Sequence, residues 1–252
     1  MKYFHNLNQK KLFVYIFCLF GICTTIISFI YKINLSNLFG PSDLNLFLLG
    51  FDIHVKTGGA VSDLQTHWQY IQVLKENFNN LFSYEMGNDI KLINFPLHHI
   101  IVSQIFFLND NIQNYLFFYL CFSLFIPYLF YLNLFEIFND IDKKILVLIS
   151  SLIYILPAFQ YSAIWGNSHL TALFFFLIGI LFHLKLRKYD YNKTSYILGA
   201  IIFLSLAAYT KQFYVFFFFF MFLEFLIKIK FKLFLLISLF TIILSVPGIL
   251  FL

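Results

Sequence analysis

Asp63 and His67 stand four residues apart in the stretch "VSDLQTHWQYIQ", Val61 to Gln72, which puts them one turn apart on the same face of a helix. A carboxylate at such a place can take a proton from a hydroxyl, provided it stays ionised and lies within hydrogen-bond reach. Two more imidazoles, His98 and His99, follow Pro96 in the apolar run "FPLHHIIVSQIFFL", where a histidine costs desolvation unless it is hydrogen-bonded. Lys211 stands between two further apolar runs. A lysine at the centre of a membrane span would cost about 2.5 to 3.5 kcal/mol, so this one must reach a surface or meet an anion, and a phosphate suits its point charge. Plainer readings stay open beside these. An acid in a first helical turn stabilises the helix dipole by about 0.3 to 1 kcal/mol with no chemistry involved. His67 could be its i,i+4 partner, a nearby carbonyl could satisfy His98 or His99, and Lys211 could simply snorkel. Metal ligation by His67 with His98 or His99 matches no strong ligand spacing.

The elements that must position these groups can be read next. Gly58 and Gly59 break the chain, and Ser62 with Gln65 three residues later forms a capping box, which predicts a helix beginning at or near Asp63. Leu64, Trp68, Ile71 and Phe78 then make one stripe, with Asp63, His67, Tyr70 and Leu74 beside it. Such a helix is expected along a membrane surface, with Leu64 and Trp68 resting on lipid and Trp68 anchored at headgroup depth. Of His98 and His99, one is expected to reach inward and the other to meet headgroups.

Composition sets the class. The chain of 252 residues is 61% hydrophobic, 22% aromatic and 12% charged, against roughly 25% charged in soluble domains. An all-α polytopic membrane protein is the expectation, because lipid accepts apolar surface once each backbone amide is satisfied within a helix. Cys18, Cys23 and Cys121 lie in apolar runs and form neither a disulfide framework nor a metal spacing. The net charge of +5 comes mostly from span ends, which argues against nucleic acid. The basic "MKYFHNLNQKK" precedes an apolar run too long for a signal-peptide core, so it introduces an uncleaved first span.

Runs long enough to span start near Leu12, Tyr115, Ile145, Ile164, Ser195, Gln212 and Leu233, which gives seven transmembrane helices. Phe95 to Leu108 is too short and suits an interfacial or re-entrant helix. With the N-terminus cytoplasmic, Lys143, Lys144, Lys185, Arg187, Lys188, Lys193, Lys228, Lys230 and Lys232 all fall inside, as the positive-inside rule asks. One large non-cytoplasmic loop with interfacial helices follows, from residue 32 to about 114. "WGNSH" and "YTKQ" are short turns on that same face.

"SDLQTHW" early in this loop, the closing "FPLHH", the later "FQYSAIWGNSH" and the span-joining "YTKQFY" resemble the GT-C superfamily of integral-membrane glycosyltransferases. Within it the likeness is closest to the glucosyltransferases of N-glycan precursor assembly that use dolichyl-phosphate-glucose. The resemblance covers most of the chain as a single module, through short motifs in matching order. Gln65 stands where that family has a second acid, Pro96 where it has two prolines, and Ser162 where it has an asparagine, so a distant or bacterial-type member is the better match. Such enzymes continue past the point corresponding to Leu252, so either an incomplete chain or a minimal module is expected here.

The resemblance implies transfer of a sugar from a polyprenyl-phosphate donor to a lipid-linked or other glycan acceptor on the non-cytoplasmic face. Asp63 would be the general base and Lys211 would face the donor phosphate. His67, His98, His99, Trp165, Asn167 and Gln212 would line the site. The resemblance fixes no cofactor, and a divalent ion could share the charge of the departing phosphate. The compartment would be the plasma membrane of a bacterium or the endoplasmic reticulum of a eukaryote. The competing readings are a transporter or flippase of lipid-linked saccharides and a non-catalytic membrane assembly subunit.

Overall fold

The computed structural model describes residues 14–27, 59–82, 96–105 and 110–249. The stretches 32–58 and 83–95 of the expected loop lie outside the described residues, as do the basic N-terminus, the side chains of Ser62, Asp63 and Gln65, and residues 250–252. Every regular element among the described residues is helical. In chain order these are α1 (Val14–Ile27), α2 (Gly59–Glu76), α3 (Leu97–Gln104), α4 (Ile112–Ser123), α5 (Ile126–Ile137), α6 (Lys143–Ser151) and α7 (Pro157–Ile164). They continue as α8 (Ser168–Lys188), α9 (Thr194–Thr210), α10 (Val215–Lys228) and α11 (Phe231–Ile249).

Among the described residues, two units are long and apolar enough to cross a membrane: Ile112–Ile137, which joins α4 to α5, and α8. A third exists if α6 and α7, bent by 62°, count as one span. Local chemistry explains both interruptions. Pro127 opens α5 after a turn whose Leu124 carbonyl accepts the Tyr154 hydroxyl at 2.7 Å. Pro157 opens α7, and the Tyr154 carbonyl near this bend accepts from Gln160 Nε2 at 2.9 Å and Thr25 Oγ1 at 3.2 Å. A side chain of α1 and one of α7 thus replace a helical bond at the break, as a buried carbonyl requires.

One core cluster gathers Leu64 and Ile71 of α2, Val102 of α3, Tyr115 and Tyr119 of α4, Ile126, Phe159 and Leu170. A second, in the C-terminal half, gathers Leu186, Ile197, Ile201, Leu204, Met221, Phe225 and Ile237. Outside them large apolar side chains stay bare, Phe216 at 73% and Ile227 at 77% exposed among them. Such a surface is stable in contact with hydrocarbon and not with water.

Three expectations for the loop change here. Helix α2 begins at Gly59, a full turn early, and its first turn holds no acid. Ser62 and Gln65 therefore lie inside the helix and cannot box its start, while Gly59 is tolerated as the first helical residue. Leu64 and Ile71 are 1% and 0% exposed, and Trp68 packs 5.9 Å from the Tyr115 ring. Leu64, Trp68 and Ile71 therefore face the protein core and not lipid, whereas Phe78 at the end of the stripe is 43% exposed; the His67, Tyr70 and Leu74 stripe is buried as well, because α3 and α4 supply partners for both faces. His98 and His99 are likewise both buried, at 1% and 2% exposed. At eight residues, α3 is about 12 Å long and cannot cross a bilayer.

Candidate functional site

Four of the residues singled out in the sequence come together where α2, α3, α8 and the end of α9 meet. Nδ1 of His67 lies 2.7 Å from Nε2 of His99, with the two rings stacked 5.0 Å apart. His98 sits at right angles to His99, 5.3 Å between centroids. Its Nδ1 is 3.0 Å from Thr171 Oγ1 and its Nε2 is 3.1 Å from the Tyr115 hydroxyl. Tyr115 donates to the Gly166 carbonyl. Tyr119, one turn further along α4, lies 2.6 Å from Thr171 Oγ1 and 2.8 Å from the Asn167 carbonyl.

Electrostatics set the charge of this cluster. Burial, then the Lys211 ammonium and His169, hold His67 down to about 4. Burial also holds His98 and His99 well below the ordinary histidine value, with the neighbouring rings and again Lys211 adding to the effect. All three imidazoles are neutral at pH 7 as a result. Lys211, which follows the last residue of α9, is thereby the source of positive charge felt throughout the cluster.

Asp63 occupies the fifth position of α2, on the face it shares with His67 and Tyr70. The macrodipole acts within the first turn of a helix, so dipole stabilisation accounts for Asp63 less well than the sequence suggested. Asn167 caps α8, its side chain accepting from the His169 amide at 3.1 Å. Trp165 packs against the first core cluster, and Gln212, itself exposed, begins a 3₁₀ turn just after Lys211. Neither joins the histidines in a described contact.

Tyr115, Tyr119 and Thr171 were not singled out in the sequence, yet they orient His98. Their signal was faint: two tyrosines four residues apart in an otherwise apolar run, and a threonine two residues after a histidine. Among the described residues no group of His, Cys, Asp and Glu is arranged to hold a metal. His67 and His99 point ring nitrogens at one another and both nitrogens of His98 are bonded to hydroxyls, so a divalent ion does not fit these three.

An apolar cavity of about 200 Å³ adjoins the cluster, lined by His98, Tyr119 and Thr171 at its polar edge and by Ile105, Phe118 and Phe174 elsewhere. Phe118 and Ile105 are each 41% exposed, so the cavity opens towards the bare apolar surface of the bundle.

The opposite end of the bundle is knit by ions. Glu136 at the end of α5 meets Lys188 at 3.3 Å. Glu224 of α10 accepts from Arg187 Nε at 2.6 Å and His183 Nε2 at 3.0 Å, and from Tyr191. From Thr171 to Lys188 along α8 is roughly 25 Å, close to the thickness of a hydrocarbon core. No family model matches the chain, and neither a curated protein nor a solved structure matches it.

Proposed function

We propose that the protein is a GT-C-type glycosyltransferase that moves a sugar from a polyprenyl-phosphate donor to a lipid-linked or other glycan acceptor on the non-cytoplasmic face. The observation that carries this reading is the gathering of His67, His98, His99 and Lys211 beside an apolar cavity, at the end of α8 opposite its basic terminus. A lipid-linked donor has matching parts: an isoprenoid chain for the cavity, an anion for Lys211 and a sugar for the polar rim.

The reading takes the bent pair α6 and α7 as one span, giving three units with α4–α5 and α8, and adds α1, α9, α10 and α11 as further crossings, seven in all, with the N-terminus cytoplasmic. Asp63, one turn from His67, accepts the proton of the acceptor hydroxyl. That oxygen attacks the anomeric carbon from the side opposite the phosphate, and the carbon–oxygen bond to phosphate breaks. Polyprenyl phosphate leaves with the electron pair, facing Lys211, and the sugar's configuration inverts. One base suffices for such a displacement, and a fixed cation near the departing oxygen stabilises charge as it develops.

The test is transfer by the purified protein in lipid, with polyprenyl-phosphate-linked sugars as donors. Asp63→Asn lowers turnover by about 10² to 10⁴ fold if Asp63 is the base; a variant that turns over normally sinks the assignment. The bend between α6 and α7 favours a second reading, since broken helices mark the sites of transporters. It differs in prediction: a flippase moves the labelled lipid-linked saccharide between leaflets with its sugar–phosphate bond intact.

A further inference from the structure

Hydrogen placement within the histidine cluster follows from its partners. Tyr115 gives its hydroxyl hydrogen to the Gly166 carbonyl, so Nε2 of His98 must donate to the Tyr115 oxygen. A neutral ring then accepts at Nδ1, and the donor there is the Thr171 hydroxyl. Tyr119, beside Thr171 Oγ1, gives its own hydrogen to the Asn167 carbonyl. His98 has no nitrogen left for a ligand.

The other two rings share one hydrogen between Nδ1 of His67 and Nε2 of His99. As a neutral pair they hold one more, either on Nε2 of His67 or on Nδ1 of His99. Nδ1 of His99 is buried and has no hydrogen-bond partner among the described residues. A hydrogen placed there would be an orphaned donor, which is rarer in folded proteins than an under-used acceptor. The hydrogen therefore belongs on Nε2 of His67. That ring is also the most accessible of the three, 8% exposed against 1% for His98 and 2% for His99.

We propose that His99 pins the hydrogen of His67 at Nε2, making His67 a neutral donor that binds, together with Lys211, the phosphate of a lipid-linked substrate. The identity of the anion rests on the transferase reading; the hydrogen placement does not. Nδ1 of His67 is occupied by His99, so His67 cannot compete with Asp63 as the base. The groups that face it are His98 and His99 from α3, His169 from α8 and Lys211 after α9, with Tyr70 one turn along on its own helix. Burial with the cations among them keeps it from charging until about 4, so its donor capacity is constant across ordinary pH.

The experiment is nitrogen NMR on the full chain in nanodiscs with ¹⁵N-labelled histidine, titrated with a short-chain polyprenyl monophosphate or with inorganic phosphate. Expected are a His67 hydrogen on Nε2 at pH 7 and at about pH 5, where an ordinary histidine is charged, and a shift of that nitrogen on lipid phosphate binding. Inorganic phosphate should act at least about tenfold more weakly, and His99→Phe should weaken the lipid ligand by about tenfold. His67→Gln, which keeps a side-chain N–H, should bind better than His67→Leu.

A hydrogen found on Nδ1, a ring that titrates near 6.5, or an Nε2 signal indifferent to both phosphates overturns the proposal. Equal response to the two phosphates overturns its lipid-linked part. The measurements on unsubstituted protein decide the matter even if a variant fails to fold. Binding through His67 without any sugar transfer sinks the transferase reading alone, and transfer with a silent Nε2 sinks this one alone.

Discussion

At φ +63° Gly166 lies in the left-handed region, and a Cβ added there would come within 2.6 Å of the Tyr115 ring. The site depends on this closeness, because Tyr115 bridges the Gly166 carbonyl to His98. Gly166→Ala costs about 1 to 2 kcal/mol in backbone strain alone and also displaces Tyr115, so a lower thermal midpoint and slower transfer are expected together. Tyr115→Phe separates the two effects: it keeps the ring but strands Nε2 of His98, at a cost of about 1 to 3 kcal/mol. The histidines also make stability depend on pH. Their folded values lie below the unfolded value of 6.5, so the unfolded chain binds more protons at acidic pH. Stability is complete above about 6.5 and falls as pH drops towards the folded value of about 4 for His67, by up to about 1.4 kcal/mol per pH unit for each histidine. Melting in detergent at neutral pH and at about pH 5 checks this, and an unchanged midpoint would contradict it. His67, His98, His99 and Lys211 were legible in the sequence because each is costly in an apolar chain. Tyr115 and Tyr119 were not, since a tyrosine in such a run looks like any aromatic core residue until its hydroxyl is given a partner.

Helices α8 and α9 carry the two sides of the site, Thr171 on one and Lys211 just past the end of the other, and they pack face to face. Gly179 permits the approach: a Cβ there would lie 2.8 Å from Cγ of Leu204 and 3.1 Å from its backbone nitrogen. Small residues at helix crossings do this in membranes, where packing rather than solvent exclusion holds helices together. Gly179→Val must push α9 outwards, since the Leu204 backbone cannot give way. Because Lys211 moves with α9, the expected signature is a rise in KM for the lipid-linked donor with a smaller change in turnover; an unaltered KM would show that Lys211 is held from elsewhere. Element boundaries were less legible than element existence. The bent pair α6 and α7 read as one apolar run, and only the carbonyl of Tyr154, taken up by Thr25 from α1 and Gln160 from α7, shows how the break is tolerated. Periodicity identifies both stripes of α2, but the one with Leu64 and Trp68, expected on lipid, meets the protein core, because a helical period identifies an apolar face without naming the neighbour that covers it.

The bundle as a whole has two chemically different ends, and the proposed orientation in the membrane rests on them. Lys185, Arg187 and Lys188 close α8, with Arg187 held by Glu224 and Lys188 by Glu136, while the histidines and Lys211 gather at the other end. The expected all-helical class and the bare apolar surface agree with what composition implied. The number of crossings was harder to read because α9 and α10, with 17 and 14 residues, fall near or below the usual spanning length. In the proposed seven-span topology the basic end lies in the cytoplasm, as the positive-inside rule asks, and Gln212 lies on the opposite side. Both positions can be labelled, since Asp140 and Gln212 are exposed. In a chain with Cys18, Cys23 and Cys121 changed to serine, a membrane-impermeant maleimide added to intact cells should modify Gln212→Cys and spare Asp140→Cys until the membrane is opened. Labelling of both residues from outside would mean that an even number of crossings separates them, against the three assigned to α6–α7, α8 and α9. The reverse pattern would place the histidine cluster in the cytoplasm, where a donor presented on the external leaflet could not reach it.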